Sequence, residues 1–354
     1  MNSPTTSSQP KVAALIGAGM VSATHVAACA DASDRVRLKG ILSRRGNTAQ
    51  GLASKASDLT NSAVLTFNSV EQIAADPEVD FVIVATPPDV REQLIAPLAH
   101  AGKHILLEKP IGRTLAEAQY MVQLCNDAGV SLGVVFQHRT REASVKVTQL
   151  IRSNTLGKLG LVDLNVPWWR DQSYYDEPGR GTYQRDGGGV LISQAIHTID
   201  LALSFTGPVS SVVAMAKTSL FHEMESEDFV VAGLAFDNGA VGSLKASTAS
   251  YPGGAESIAL HFEHASLCLQ GGVCQINWRD GRVETLGKLA GSGGGADPMA
   301  FSHDLHQRII ENFVDSLNRN VPLYATGDQA LMSHQLIHAI VESATNSQMQ
   351  RVAL

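Results

Sequence analysis

The feature that most constrains this chain lies near its start. An apolar run, Val12 to Ile16, passes directly into Gly17-Ala18-Gly19-Met20-Val21-Ser22. The run reads as a buried strand, and Ala23 to Ala30 as a helix. A tight glycine turn from a first strand into a helix aims backbone N–H groups and the positive helix end at one point, which suits a pyrophosphate. Gly17 makes the turn, and Gly19 carries no side chain to block the phosphates. Ser22 replaces the third glycine and is small enough for close packing. Met20 and Val21 lie on the same turn and join the candidate cofactor-binding residues.

That stretch also imitates a secretion signal. Lys11 precedes an uncharged segment ending in Val26-Ala27-Ala28-Cys29-Ala30. However, Met1 to Pro10 holds no basic residue, and Gly17, Gly19, Ser22, Thr24 and His25 interrupt the run where a signal needs continuity. No other stretch reaches the ~18 apolar residues of a membrane span, so a cytoplasmic protein is expected. Lys+Arg is 27 against Asp+Glu 34, a net charge of -7. A mildly acidic chain has no general attraction to nucleic acid or anionic lipid. Cys29, Cys125, Cys268 and Cys274 form no C-x-x-C pair, so neither a zinc site nor a disulfide framework is expected.

Downstream, strand and helix alternate. Val36 to Leu42, Phe81 to Ala85, His104 to Leu107 and Ser131 to Val135 read as strands, and Arg91 to Ala101 and Thr114 to Ala128 as helices. Short connections between them imply parallel strands in a doubly wound α/β sheet. Near residue 155 the character changes. Val209 to Lys217, Asp228 to Phe236, Ala240 to Thr248, Ser257 to Phe262 and Val273 to Trp278 follow one another as strands, with a hairpin turn at Asp237-Asn238-Gly239. The 354 residues therefore divide into two domains at roughly 150 residues each. The first, 10–135, binds the dinucleotide. The second, 136–354, is α+β with a large, mostly antiparallel open sheet, and its C-terminal helix can return to the first. Gly291 to Gly295 reads as a flexible loop, and Ser302 as the cap of a helix reaching about Asn318 with Ile309, Ile310, Phe313, Val314 and Leu317 on one face.

The end of the second strand selects the cofactor. An acidic residue there holds the ribose 2′-OH of NAD, whereas arginines suit the 2′-phosphate of NADP. Leu42-Ser43-Arg44-Arg45 holds no acid. Ser43 and Arg44 can both bond a phosphate, so NADP is expected, with NAD as the alternative and a plain solvated loop as the competing reading.

Two further segments are specific. Val82 to Pro88, with Thr86 and Pro87 at a strand end, is followed by Ala101-Gly102-Lys103-His104-Ile105-Leu106-Leu107-Glu108-Lys109-Pro110. Later, Asp186-Gly187-Gly188-Gly189 leads to His197-Thr198-Ile199-Asp200. With the glycine turn and the order of elements, these resemble the glucose–fructose oxidoreductase/inositol dehydrogenase (Gfo/Idh/MocA) family over nearly the whole chain. The resemblance implies a Rossmann domain, a pyridine nucleotide, a sugar-like substrate, and a homodimer or homotetramer built on the C-terminal sheet.

Lys109 ends an apolar strand at the edge where open α/β sheets bind ligands. An ammonium there can hold a substrate hydroxyl and, with its pKa lowered, transfer a proton. The resemblance makes Lys109 catalytic or substrate-orienting, with Glu108 behind it as a positioning partner, and puts Thr86, Pro87, Glu108 and Lys109 among the cofactor-binding residues. His197 aligns with the family's active-site histidine and titrates in a range suited to exchanging the hydroxyl proton. Inositol-type dehydrogenases carry an aspartate one turn earlier, where this chain has Ser193, so Lys109 is expected to carry more of the proton transfer. Ser193 and Asp200 are placed in the substrate pocket.

Trp168, Trp169, Arg170, Tyr174, Tyr175, Arg180 and Tyr183 form a segment rich in aromatics and arginine. That composition suits a sugar face with an acidic or phosphate group, or an aromatic patch that packs a loop onto the sheet. It briefly resembles the family branch acting on nucleotide-linked amino-sugar uronates. Trp169, Arg170, Tyr174 and Tyr183 are the substrate candidates. His303 and His306 lack a third ligand in sequence, so no metal is expected. The function expected is hydride transfer between a nicotinamide and a carbinol carbon. A non-catalytic dinucleotide sensor is the alternative.

Overall fold

The structure is a computed structural model describing residues 9–289 and 302–353. Gly291 to Gly295 lies outside the described residues. The first unit threads β1 (Lys11–Ile16), α1 (Ser22–Asp31), β2 (Val36–Leu42), α2 (Gly46–Thr60), β3 (Leu65–Thr66), α3 (Val70–Ala75), β4 (Phe81–Val84), α4 (Arg91–His100), β5 (His104–Glu108), α5 (Leu115–Asp127) and β6 (Leu132–Val135). The strands pair in parallel in the order β3-β2-β1-β4-β5-β6. β4 and β6 are buried at every position. A parallel strand covered by helices on both faces has no solvent side to favour polar residues. The order reverses between β1 and β4, so a crevice opens at their carboxyl ends.

The second unit continues with α6 (Glu142–Arg152), β7 (Leu159–Pro167), α7 (Gln172–Tyr175), a π-helical turn (Leu191–Ala195), α8 (Ile196–Thr206) and β8 (Val209–Lys217). It then runs through β9 (Phe229–Phe236), β10 (Val241–Ser247), β11 (Ser257–Phe262), β12 (Ala265–Gln270), β13 (Val273–Trp278), β14 (Val283–Gly287), α9 (Asp304–Arg319), α10 (Gly327–Asn346) and β15 (Gln350–Arg351). Its strands form one sheet in the order β14-β13-β12-β11-β7-β10-β9-β8-β15. All neighbours are antiparallel except β7 and β10. Along β9 and β11 side chains alternate between core and outer face, the period-two pattern of a sheet covered on one side.

Caps and turns account for several boundaries. Thr114 Oγ1 accepts the Glu117 N–H at 3.1 Å and starts α5. Gly239, at a φ of 88°, closes the β9–β10 hairpin. α9 begins at Asp304, two residues beyond Ser302, whose hydroxyl accepts the Asp304 N–H at 3.3 Å. β3, of two residues, and β14, with no buried position, carried too little apolar signal to be read from sequence. α9 packs on α1, and α10 on α5 and β6, so both C-terminal helices lie against the first sheet's layer. Among the described residues no helix is long and apolar enough to cross a membrane.

Candidate active site

The crevice is built first by the glycine turn. Gly17 has a φ of 114°, and a Cβ there would fall 2.4 Å from the Ala85 carbonyl oxygen at the end of β4. Only glycine allows β1 and β4 to close so tightly. Gly19 differs: a Cβ there would meet nothing within 4 Å, so the space in front of the turn is open. α1 has no side-chain cap and no acidic residue in its first turn, which leaves its N–H groups and positive end directed at that space. A dinucleotide pyrophosphate fits these features. Ser22 is fully buried under the turn, Val21 is half-buried, and Met20 is exposed. Ser43 is half-buried at the end of β2, with Arg44 and Arg45 exposed beyond it.

A buried arginine that the sequence reading overlooked fixes the opposite lip. Arg91 donates Nε and Nη2 to the Thr86 carbonyl at 3.1 and 2.7 Å, and Nη1 to the Glu108 carbonyl at 2.5 Å. The ends of β4 and β5 are thereby locked together. Pro87 is exposed just beyond Thr86. Glu108 turns its side chain away from the crevice. Its Oε1 lies 2.9 Å from His25 Nε2 and 3.5 Å from His306 Nε2. Burial pushes this carboxyl up, but the two histidines outweigh that and hold it well below the usual carboxylate range. Glu108 was expected to touch the cofactor, and its carboxylate instead joins α1, β5 and α9. The third partner that His306 lacked in sequence is supplied by folding, since these three side chains could also hold a metal ion.

Lys109 is half-buried at the crevice, and its Nζ donates to the Ser193 carbonyl at 2.7 Å. Burial brings its ammonium down to about 8, and the Glu108 carboxylate pulls the other way. The π-helical turn that carries Ser193 runs straight into α8 and His197. Wide turns of this kind concentrate at functional sites. Upstream of it, a Cβ at Gly189 would fall 1.8 Å from the Glu227 carbonyl oxygen, which explains the last of the three glycines. His197 is 6% exposed. Burial, and then the Lys109 ammonium, keep its imidazole well below its ordinary value and therefore neutral. Ser193 meets the site through its carbonyl oxygen. Asp200 does not face it: the residue is fully buried and accepts from Arg139 Nε and Nη2, both at 2.7 Å. An unpaired carboxylate at that depth would be costly, so the pairing takes Asp200 out of the substrate pocket.

The arginine–aromatic segment splits. The Arg170 guanidinium lies 5.4 Å from the Trp168 ring centroid and 5.5 Å from that of Tyr174, and Arg180 lies 4.2 Å from the Tyr174 ring. Gln194 Nε2 donates to the Tyr174 hydroxyl at 3.3 Å, which links this cluster to the π-helical turn. Trp169 instead stacks near His222 and Tyr251, with Nε1 donating to Asp171, so it packs the loop onto the sheet. Tyr183 is exposed, with its backbone N–H on Glu225. No local motif marks Gln194, or His222, which spans Asp228 and the Arg170 carbonyl at 2.7 and 2.8 Å.

Comparison with known proteins gives this geometry a context. Residues 11–136 match the model of an oxidoreductase family with an NAD-binding Rossmann fold, and residues 144–268 match the GFO/IDH/MocA C-terminal domain. The chain is similar to 1,5-anhydro-D-fructose reductase of Ensifer adhaerens, 30% identical over 49% of this chain and 52% of that one. It spans about half the length of the curated relatives it matches. Among solved structures, the WlbA dehydrogenase of Bordetella pertussis in complex with NADH and UDP-GlcNAcA is 29% identical, with 98% of this chain and 99% of that one aligned and a TM-score of 0.79. A levoglucosan dehydrogenase in complex with NADH and levoglucosan, at 21% identity and a TM-score of 0.84 over 98% of this chain and 100% of the other, shares the fold.

Proposed function

The chain belongs to the Gfo/Idh/MocA oxidoreductase family, and from that premise we propose that it transfers a hydride between a nicotinamide dinucleotide and a carbinol carbon of a sugar, polyol or sugar acid. The observation that carries this reading is the Lys109 ammonium at the crevice edge, with Nζ on the carbonyl of Ser193, four residues before His197. A sensor would need the glycine turn and would have no use for that pair.

When bound, the nicotinamide supplies or takes the hydride. The chain's own groups handle the oxygen and its proton. Lys109 donates to the substrate oxygen and stabilises the charge that develops there as the carbon changes oxidation state. His197, held neutral, accepts the hydroxyl proton during oxidation and returns it during reduction. Ser43 and Arg44 stand at the ribose end of the cofactor. With no acid at the end of β2, they favour NADP over NAD, whereas the two solved structures named above hold NADH. Arg170 and Arg180, stacked on Tyr174, supply positive charge beside a flat aromatic face. Together with the similarity to a dehydrogenase solved with UDP-GlcNAcA, this supports a substrate that carries an acidic group on or near the sugar.

The outer face of the second sheet exposes Val213, Met215, Val231 and Val241. A second copy of this chain is the proposed cover for that face, giving a homodimer or homotetramer.

The test of function is a screen of sugars, polyols and sugar acids with both cofactors, following absorbance at the nicotinamide band. Turnover with a hydroxyl substrate supports the reading. Tight dinucleotide binding with no turnover across the panel would move the sensor reading ahead.

A further inference from the structure

A small cleft of about 20 Å³ has a lining that includes His138, Arg141, Ser144, Thr198, Glu256 and Gly271. Its inner wall is charged yet buried, with Arg141 7% and Glu256 4% exposed. Arg141 Nη1 donates to Glu256 Oε1 at 2.7 Å, and Arg141 Nη2 lies 3.1 Å from His138 Nε2. A guanidinium only donates, so His138 Nε2 must accept and the ring proton is assigned to Nδ1. That nitrogen faces Glu256 Oε1 at 3.9 Å. The Arg141 bond thus sets the tautomer of His138, and the ion pair with Glu256 holds Arg141 in place.

The fixed ring leans on His197. The two ring centroids are 5.1 Å apart with the planes at 30°, and Phe136 meets His197 edge-on at 6.1 Å. His138 both lines the cleft and stacks on His197, so it forms the wall between them. In this chain no carboxylate precedes His197 by one turn, and the imidazole is held by faces rather than by an acceptor. We propose that His138, locked by Arg141 and Glu256, is a positioning residue that holds the His197 ring and seals it from the cleft. This rests on the reading of His197 as the group that exchanges the substrate proton.

The titratable groups whose charge reaches His197 are Lys109 after β5, Glu108 behind it, His138 in the turn after β6, and His306 on α9. Burial is the largest influence keeping the ring neutral, followed by Lys109, His138 and His306, while Glu108 opposes them. Truncating His138 joins the cleft to the ring and admits water. The burial effect then weakens, and the ring's proton affinity rises toward that of a solvated histidine.

The experiment is an NMR titration of His197 in full-length protein carrying isotope-labelled histidine, assigned with His197→Gln. In the wild type the His197 signal should titrate well below the range of a solvated histidine, whereas in His138→Ala its midpoint should move up toward that range. His138→Phe, which keeps a ring in the wall, should behave as the wild type, and His138→Asn should fall between. On a hydroxyl substrate, the acid limb of the oxidation rate should move up in His138→Ala, with the rate recovering at alkaline pH and cofactor affinity unchanged. A purely structural loss would lower the rate at every pH. Alanine and asparagine variants titrating like the wild type, or a phenylalanine variant titrating like alanine, would overturn the proposal. So would a wild-type His197 that titrates near 6.5. Absence of turnover by the wild type would count against the proposed function, and the titration would still decide this point.

Discussion

Lys109 and His197 are set against each other through a single backbone atom. Nζ of Lys109 donates to the Ser193 carbonyl at 2.7 Å, and Ser193 stands one helical turn before His197. The lysine ends β5 of the first sheet, and the histidine begins the helix that packs on the second. The contact fixes the distance between the group that would hold the substrate oxygen and the group that would exchange its proton. A histidine–aspartate pair would define the proton carrier alone, whereas this arrangement leaves Lys109 with the larger share.

Replacing Lys109 with alanine should therefore lower turnover roughly 10²–10⁴-fold, the range of a lost positioned proton-transfer group. Dinucleotide affinity should change little, because the glycine turn lies on β1 and α1. In the reduction direction the charged ammonium is the useful form. The lysine loses its proton as pH passes about 8, so the rate should decline above that point. Steady-state kinetics across pH, with cofactor binding measured separately, checks both parts. An alanine variant working near the wild-type rate would defeat the assignment.

Glu108 acts on Lys109 from behind. Its carboxylate raises the proton affinity of the ammonium against burial, and His25 and His306 hold that carboxylate charged. Glu108→Gln should move the alkaline limb of the reduction rate to lower pH. The 2.9 Å approach of His25 to Glu108 is a hydrogen-bond distance, so we read the three residues as a hydrogen-bonded group rather than a metal centre. Dialysis against a chelator should then leave both melting temperature and rate unchanged. Loss of either, restored by adding a divalent metal, would reverse that reading.

The legible part of this molecule was the part written locally. Val12 to Ser22 specifies a strand, a turn that only glycine can make and a helix without a cap, and each lies within a few residues of its cause. The alternation of buried strands to Val135 followed for the same reason, since a strand covered on both faces must be apolar throughout. The positions of Lys109 after a strand and of His197 on a helix were legible from the motifs around them. Arg91, Gln194, His222 and the His138–Arg141–Glu256 group were not. Each has a contact that only folding supplies, Arg91 with Glu108, Gln194 with Tyr174, His222 with Arg170 and Arg141 with Glu256, and a polar residue whose partner is remote looks like any solvated one. Asp200 was misplaced on the same grounds. Its position one turn after His197 suggested a shared face, while its partner Arg139 lies 61 positions upstream.

Arg44 is predicted to read the cofactor's 2′-phosphate. A charge-assisted hydrogen bond contributes about 1.5–3 kcal/mol, so Arg44→Ala should reduce NADP(H) affinity roughly tenfold or more and leave NAD(H) nearly unchanged. Calorimetric titration with both cofactors decides it. Equal wild-type affinities would remove the NADP preference and leave the family membership intact.

Asp200 is predicted to matter for stability first. Its carboxylate is fully buried and held bidentately by Arg139, whose Nη1 also donates to the Tyr324 carbonyl at 2.7 Å. Arg139 therefore ties α8 to the segment between α9 and α10. Burial pushes the Asp200 carboxyl up, and Arg139 opposes that without cancelling it. The pair is thus ionised at a cost that only the matched partner offsets. Asp200→Ala leaves a buried guanidinium without its counter-charge, which costs about 3–5 kcal/mol. At about 2–4 °C per kcal/mol for a domain of this size, the melting temperature should fall by on the order of ten degrees. The double variant Asp200→Ala/Arg139→Met removes both charges and should recover much of that loss. If Asp200 instead bound substrate, Asp200→Asn would raise the Michaelis constant at unchanged melting temperature, and that outcome would return it to the pocket.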